Sequence, residues 1–336
     1  MNSEVQAAKE CVLEYYHHLD RCPQDSIAQT IHQYTSESYL WRGYHPFHEQ
    51  HSPAAVAQLF WQPLRHALKH IQRRQDVFMA GRNQMDNFQS IWVVSMGHHM
   101  GLFDEPWLGI QPTHKMAMLR YCEFNKVENG KITETAMFFD IPHLMVQAGL
   151  QPFPHQTAAQ LVQPGPMTHS GLMYNSQDPK QGVKTLGAIN HMMTALGDWD
   201  HELSLEDELR LSWNEDMIWW GPTGIGATYT IERYAQQHSG PFRAAFSNRT
   251  FNGHICRMAE GEFGGFFGWP NLTLELTGSF MGMSATGKAG DMRVIDIYRR
   301  DGDKLSENWV FIDLLHFWNQ HGIDILARAQ SHQRDL

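Results

Sequence analysis

FIDLLHFWNQHGI at residues 311–323 and FFDIPHLMVQAGL at residues 138–150 share one pattern. Each has an apolar pair, then an Asp, a His three residues later, and a Gly near its end. We call the separation of Asp140 from Asp313 the closing interval. The same interval links four further pairs: Glu134 with Glu307, His143 with His316, Thr113 with Thr286, and Lys115 with Lys288. Repetition at a fixed spacing indicates that one unit of structure occurs twice.

Earlier in the chain the two copies match at a slightly longer separation, which links Trp41 with Trp219 and Gly43 with Gly221. We call it the opening interval. Helix-start signals follow it as well. They are a capping box at Ser26 and Gln29, a looser one at Ser204 and Asp207, and N-caps at Ser52 and Thr230. A single length change in the middle of one copy accounts for both intervals. The chain is therefore predicted to be a tandem duplication.

Both copies have the same order of predicted elements. A long helix (about residues 4–20 and 179–197) precedes two shorter helices and then a series of strands. Helices followed by an antiparallel sheet are typical of an α+β fold. We assign residues 1–150 to the first domain, 151–178 to a linker rich in Pro and polar residues, and 179–336 to the second domain. The run GGFFGWP at 264–270 is interpreted as a flexible loop that could act as a lid.

The composition excludes several classes of protein. The formal net charge of −10 argues against a nucleic-acid partner, because phosphate binding needs a concentrated basic surface. The apolar runs are too short for a membrane span, and the first ten residues lack the layout of a signal peptide. The four cysteines show no paired spacing that would indicate a zinc site or a disulfide framework. We expect a cytoplasmic protein.

The second copy carries the motifs of a known family. Residues 277–288 (TGSFMGMSATGK) and 309–322 (WVFIDLLHFWNQHG) resemble the SnoaL-like polyketide cyclase family, within the nuclear transport factor 2-like superfamily. The resemblance implies two cone-shaped domains, each with a curved, mainly antiparallel sheet wrapped around the N-terminal helices and an apolar cavity. It also implies a cofactor-free intramolecular aldol condensation, in which an acidic side chain and a histidine transfer the protons.

Asp313 and Asp140 match the aspartate of the family's closing motif and are predicted to be catalytic. Burial in an apolar cavity would raise the pKa of such a carboxyl and suit it to acid–base chemistry. A second interpretation stays open. Each Asp ends a predicted strand and precedes a short helix, which is the position of an N-cap, and a cap would keep the pKa low.

His99, in the run GHHMG, is the third predicted catalytic residue, because the family's strand often has a histidine at that place. The second copy has Leu276 at the matching place, so a complete Asp–His pair is expected in the first copy alone. One copy is then expected to be catalytic or ligand-binding while the other supports it.

Six residues are predicted to bind substrate, since aromatic walls and a few polar groups are typical of ligand pockets. They are His316, His143, Trp220, Trp41, Arg42 and Trp309. The ligand is expected to be a small hydrophobic or aromatic molecule, with no cofactor, metal, nucleic acid or membrane partner. The two copies are expected to pair within the chain as a pseudo-dimer, and a homodimer is left open. A binding protein without turnover, or a hydrolase, isomerase or dehydratase, is the alternative.

Overall fold

The computed structural model describes residues 2–197 and 203–328, which form two compact units. The first unit contains residues 2–152, 167–176 and 324–328, and the second contains 153–166 and the described residues from 177 to 323. The predicted linker is therefore divided, with 153–166 in the second unit and 167–176 in the first.

The first unit combines a six-stranded sheet with helices, and its described residues 325–328 are also helical. Its helices are α1 (Asn2–Leu19), α2 (Ile27–Tyr34), α3 (Pro53–Val56), α4 (Gln62–Ala67) and α5 (Ile141–Gln147), with a π-helical turn (Ala57–Trp61) joining α3 to α4. Its strands are β1 (Thr35–Gly43), β2 (His48–Gln50), β3 (Leu68–Arg82), β4 (Ile91–Phe103), β5 (Met116–Glu128) and β6 (Lys131–Phe139). The strand order is β2-β1-β6-β5-β4-β3, and only the β1–β6 pair in this sheet is parallel.

The second unit repeats this plan. Its helices are α6 (Pro179–Gly197), α7 (Leu205–Arg210), α8 (Ile231–Tyr234), α9 (Gly240–Ala245) and α10 (Leu314–Gln320), with a π-helical turn (Ala235–Ser239) joining α8 to α9. Its strands are β7 (Trp213–Trp220), β8 (Ala227–Tyr229), β9 (Phe246–Phe251), β10 (Cys256–Glu260), β11 (Phe263–Leu276), β12 (Ala289–Asp301) and β13 (Lys304–Ile312). The path β10-β11-β12-β13-β7-β8 is parallel at β13–β7, and β9 also pairs with β11. Within the described residues, no helix is both long and apolar enough to cross a membrane.

The element boundaries confirm the α+β prediction and the duplication. Strands β5 and β6 and helix α5 recur at the closing interval as β12, β13 and α10. The π-helical turn, α4 and the start of β1 recur at the opening interval. The length change lies in one loop, because residues 83–90 connect β3 to β4 whereas only 261–262 connect β10 to β11. Strand β3 of the first unit is represented by two shorter strands, β9 and β10, in the second.

Three of the four predicted helix caps are confirmed. The side-chain oxygens of Ser52, Ser204 and Thr230 accept hydrogen bonds from backbone N–H groups three residues later, at 3.1, 3.1 and 3.5 Å. The capping box at Ser26 is wrong, because its side chain makes no capping hydrogen bond. Ser26 ends a 3-10 turn over 24–26 and already has a helical backbone conformation, so it does not adopt the extended geometry of a cap.

The interpretation of 264–270 as a loop is also wrong, since these residues lie within β11. The glycines here allow close packing. A Cβ atom at Gly264 would lie 2.7 Å from Ile189 Cδ1 of α6, and one at Gly265 would lie 2.3 Å from the carbonyl oxygen of Asp296 on β12. Glycine in a strand often marks such a close approach.

Candidate functional site

The strand register of the second unit brings polar and aromatic side chains onto one sheet face. Tyr298 pairs with Asn308, and Asn308 pairs with Trp219, so these three side chains lie in a row across β12, β13 and β7. Asp296 precedes Tyr298 by two residues and points to the same face. We call this the inner face of the second sheet. Ile297, Trp309 and Trp220 form the equivalent row on the opposite face.

Asp296 is a buried carboxyl on this inner face. The side-chain amide of Asn308 donates a hydrogen bond of 3.2 Å to it, and Tyr298 also hydrogen-bonds to it. Burial raises the pKa of Asp296 to about 7, although both hydrogen bonds act to lower it. This carboxyl therefore gains and loses its proton near neutral pH.

Side chains from α8 and the π-helical turn cover the inner face. The ring of His238 stacks on Trp219 with centroids 3.9 Å apart and planes 18° apart. Tyr234 lies 5.7 Å from Trp219 and 5.4 Å from His238. Burial lowers the pKa of His238 to about 3, so its ring is neutral at ordinary pH. Its Nδ1 atom is buried and has no hydrogen-bond partner among the described residues.

The first unit has an acid at the equivalent place, but it is paired with a cation. Glu123 matches Asp296 at the closing interval, and its Oε2 is 3.1 Å from Nη1 of Arg73. Arg73 also donates two hydrogen bonds to Asp20, at 3.1 and 3.2 Å. Burial raises the pKa of Glu123, and the charge of Arg73 opposes that rise. At the opening interval, the second copy has Phe251 in place of Arg73.

Beside Glu123, the polar side chains of the first unit hydrogen-bond to one another. Asn125 donates to the hydroxyl of Tyr16 at 2.9 Å, Thr135 donates to Asn125 at 2.7 Å, and Tyr39 donates to Thr135 at 2.9 Å. All four residues are buried. This interior face is thus held in one arrangement by its own side chains, as expected of a fully satisfied network.

His99 lies in the same interior. Its ring stacks on Tyr121 at 4.4 Å and meets Trp61 edge-on at 5.5 Å. Burial lowers the pKa of His99 well below its ordinary value, and the nearby charge of Arg73 lowers it further. Its buried Nε2 has no hydrogen-bond partner within the described ranges. His99 is therefore a neutral imidazole with one unused nitrogen, and its predicted catalytic role stays a prediction.

The register corrects the residue matched with His99. His99 pairs with Leu119, and at the closing interval Leu272 pairs with Met292. Leu272 is therefore the counterpart of His99, and the assignment of Leu276 is wrong. Leu276 occupies the end of β11, where β4 of the first copy ends at Phe103.

Asp140 and Asp313 both cap helices. Their Oδ1 atoms accept hydrogen bonds of 3.1 Å from the backbone N–H groups of His143 and His316, three residues on. The side chain of Arg293 also approaches Asp313, at 3.7 Å. Helix capping is a structural reason for both aspartates. Their predicted catalytic and substrate-binding roles remain untested by this geometry.

The remaining predicted site residues lie in different places. Trp41 is buried on the sheet face that packs against the π-helical turn of the first unit, 5.5 Å from Phe60. Arg42 points the other way and pairs with Glu134 at 2.7 Å. Trp309 donates a hydrogen bond of 3.2 Å to the carbonyl oxygen of Pro164, on the face opposite Asp296. Trp220 shares that opposite face, so of these two adjacent tryptophans Trp219 is the one on the face of Asp296.

The buried acids themselves were absent from the sequence prediction, although a signal for them existed. Glu123 and Asp296 are separated by the closing interval, each in the middle of a largely apolar strand, YCEFNKV and VIDIYRR. An acidic residue at the same interior position of both copies would have indicated the site. His238 gave no comparable signal, since its counterpart is Phe60.

Comparisons with known proteins gave matches among solved structures. No family model matches the chain, and no curated protein matches its sequence. A candidate SnoaL-like polyketide cyclase from Jannaschia sp. CCS1 is 16% identical, with a TM-score of 0.34, and the match covers 42% of this chain and 90% of that one. A nuclear transport factor 2-like protein from Burkholderia xenovorans LB400 is 16% identical, with a TM-score of 0.33 and coverages of 44% and 97%.

IdmH, a candidate polyketide cyclase from Streptomyces antibioticus, is 17% identical, with a TM-score of 0.34 and coverages of 41% and 99%. Each match spans less than half of this chain and at least 90% of the other. These likenesses concern the fold alone. The α+β assignment itself rests on the element order and strand pairing described above.

Proposed function

We propose that the second unit is a cofactor-independent acid–base enzyme of the SnoaL-like cyclase type, acting on a hydrophobic small molecule that contains a carbonyl group. Asp296 is its proton acceptor and donor. The observation that carries this proposal is a carboxyl buried on an aromatic sheet face, where its hydrogen-bond partners, Asn308 and Tyr298, are neutral. A carboxyl that titrates near neutral pH suits removal of a proton next to a carbonyl.

In this reaction the Asp296 carboxylate takes a proton from the carbon beside a substrate carbonyl. The electron pair of the broken C–H bond forms the carbon–carbon double bond of an enolate, and the negative charge moves to the carbonyl oxygen. The enolate carbon then bonds to a second carbonyl carbon of the same molecule, whose oxygen takes the proton from Asp296. This is the aldol closure that the sequence resemblance implies, and it consumes no co-reactant.

Asp140, Asp313 and His99 remain alternative proposals for the acid and the histidine. Asp296 is preferred because the two capping aspartates already accept backbone hydrogen bonds. The same carboxyl would also serve an isomerase or a dehydratase, both of which begin with removal of a proton beside a carbonyl.

The first unit favours a second candidate function, binding without turnover. Its equivalent acid, Glu123, is committed to Arg73 at 3.1 Å, and the polar groups beside it hydrogen-bond to one another. Arg73 stabilises the charged form of Glu123 and so makes this carboxylate a weaker proton acceptor than it would be if buried without a cation.

The test is exchange of carbon-bound hydrogen for deuterium in acetophenone and ethyl benzoylacetate, followed by proton NMR in deuterated buffer. The wild-type chain is expected to accelerate exchange beside the carbonyl of at least one probe. Asp296→Asn should lose on the order of 100-fold of that acceleration, the usual contribution of a positioned base. Asp216→Asn, an exposed aspartate on β7, is the matched control and should behave as wild type.

If Asp296→Asn exchanged both probes as fast as the wild type while remaining folded, the acid–base proposal would be overturned. If the wild type bound a probe without accelerating exchange, the chain would be a binding protein.

A further inference from the structure

The π-helical turns of the two units differ at one informative position. Each turn joins two short helices at the same place in its copy, at Ala57–Trp61 and at Ala235–Ser239. Phe60 occupies the fourth position of the first turn, and His238 occupies the fourth position of the second. Turns of this kind are rare and frequently occur at functional sites. Since both units have the turn, the fold accounts for the turn but not for the histidine.

An apolar ring satisfies the structural requirement at this position. Phe60 is fully buried and packs 5.5 Å from Trp41 and 4.6 Å from Phe139. His238 makes the corresponding contact with Trp219, the counterpart of Trp41, at 3.9 Å. The second copy therefore places a hydrogen-bonding ring where the first copy uses a purely apolar one. Burying a polar nitrogen without a hydrogen-bond partner is unfavourable. The presence of His238 at this position therefore points to a ligand that supplies the partner.

The exchange of Phe for His accompanies other exchanges on the same interior. At the positions of Val56 and Asn125 in the first copy, the second copy has Tyr234 and Tyr298. Tyr298 hydrogen-bonds to Asp296. Burial raises the pKa of Tyr234, and the charge of Asp296 raises it further. Tyr234 in turn lies 5.4 Å from His238. The polar groups around Asp296 thus form one set that is specific to the second unit.

The exposure and protonation state of His238 suit the role of a hydrogen-bond donor to a ligand. Its side chain is half-buried, so part of it can be reached from outside, whereas Nδ1 itself is buried and has no partner in the described chain. Burial keeps the ring neutral. A neutral imidazole that carries its proton on Nδ1 donates a hydrogen bond to an oxygen without bringing a full positive charge near the carboxyl.

We propose that His238 is a second catalytic residue of this site, which donates a hydrogen bond from Nδ1 to the carbonyl oxygen of the substrate while Asp296 removes the neighbouring carbon-bound proton. This inference rests on the proposed function. As the C–H bond breaks, charge develops on the carbonyl oxygen, and a preorganised donor stabilises it in a site with little water.

The test combines the exchange assay with NMR of nitrogen-labelled histidine in the full chain, using ethyl benzoylacetate as the probe. His238→Phe installs the residue that the other copy already uses, so it is expected to fold. The histidine signal that is absent from the spectrum of His238→Phe identifies His238 in the wild-type spectrum. Adding the probe should shift that signal in the wild type and in Asp296→Asn, which binds without turnover. His238→Phe should lower probe exchange on the order of 100-fold.

The outcomes separate this inference from the proposed function. If exchange depends on Asp296 but the His238 signal does not move and His238→Phe exchanges normally, His238 has no catalytic role and the proposed function stands. If the His238 signal moves but exchange is independent of Asp296, the proposed function is wrong while the contact with the probe stands. If neither effect is seen, both are overturned.

Discussion

Glu123 and Asp296 are carboxyls at the same position of two copies, and their surroundings give them different chemistry. Arg73 lies 3.1 Å from Glu123, whereas the second copy has Phe251 at the position of Arg73. Asp296 receives hydrogen bonds from Asn308 and Tyr298, which carry no charge to hold it ionised. The second copy therefore lacks the cation that pairs with Glu123, and burial raises the pKa of its carboxyl to about 7.

The raised pKa of Asp296 predicts a loss of stability as pH increases. The pKa rises from 3.8 to about 7 on folding, so between these values the folded chain holds a proton that the unfolded chain has released. The contribution of Asp296 to the free energy of unfolding should fall by about 1.4 kcal/mol per pH unit across this window, or by up to about 4 kcal/mol in total. Asp296→Asn removes this contribution. Urea denaturation at pH 4 to 8 should show the variant gaining stability relative to the wild type as pH rises.

Asp216→Asn is the control for this titration, because Asp216 is exposed on β7 of the same unit. Its stability should follow the wild type at every pH. A constant difference between Asp296→Asn and the wild type across the range would contradict the raised pKa.

Arg73 is predicted to be essential for the stability of the first unit. Its side chain is 3% exposed and neutralises Glu123 and Asp20. Arg73→Met leaves these carboxylates without their cation and should lower the free energy of unfolding by about 3–5 kcal/mol. Arg210→Met removes a cation that pairs with three acids at the surface, and it should have a much smaller effect. The free energies of unfolding would be measured by chemical denaturation. Equal losses in the two variants would show that burial of Arg73 does not increase its contribution to stability.

At the scale of the element, α10 begins at a capping aspartate whose other predicted role is catalytic. Asp313 accepts the backbone N–H of His316 at 3.1 Å. If capping is its function, Asp313→Asn should preserve stability and probe exchange, because Asn caps as well as Asp does. Asp313→Ala should cost about 1 kcal/mol. Thermal denaturation with the exchange assay checks both, and loss of exchange in a stable Asp313→Asn would support the catalytic prediction instead.

Two glycines of the second unit predict opposite effects on substitution by alanine. A Cβ at Gly187, on the exposed side of α6, would meet no atom within 4 Å, so Gly187→Ala should stabilise the unit by about 0.5–1 kcal/mol. A Cβ at Gly264 of β11 would lie 2.7 Å from Ile189 Cδ1, and Gly264→Ala should destabilise by about 1–3 kcal/mol. Thermal midpoints that moved in the same direction would contradict this packing.

Elements whose formation depends on residues adjacent in the sequence can be predicted from the sequence. The closing strand and helix of each copy, and the caps at Ser52 and Ser204, follow from local patterns and appear where expected. The sheet face that each side chain occupies is harder to predict. Trp219 and Trp220 are adjacent, and only the pairing with Asn308 and Trp309 shows which of them faces Asp296. Contacts such as Arg73 with Glu123 join strands that are distant in sequence, and no local pattern reports them.

At the scale of the whole molecule, the duplication provides an internal comparison for every residue. One copy retains an interior held by an ion pair and a hydrogen-bond network, and the other has an acid with uncharged partners, two tyrosines and a histidine at equivalent positions. A duplicated fold permits such divergence, because one copy can keep its stability while the other changes its chemistry. The pairing of the two copies as a pseudo-dimer stays a prediction.

The most direct measurement compares Asp296→Asn with Glu123→Gln in the deuterium-exchange assay, with circular dichroism confirming that both variants are folded. The two substitutions remove the same chemical group from equivalent positions of the two copies. We predict that Asp296→Asn loses on the order of 100-fold of the catalysed exchange, while Glu123→Gln retains it. Loss in Glu123→Gln with normal exchange in Asp296→Asn would place the chemistry in the first copy and contradict the account.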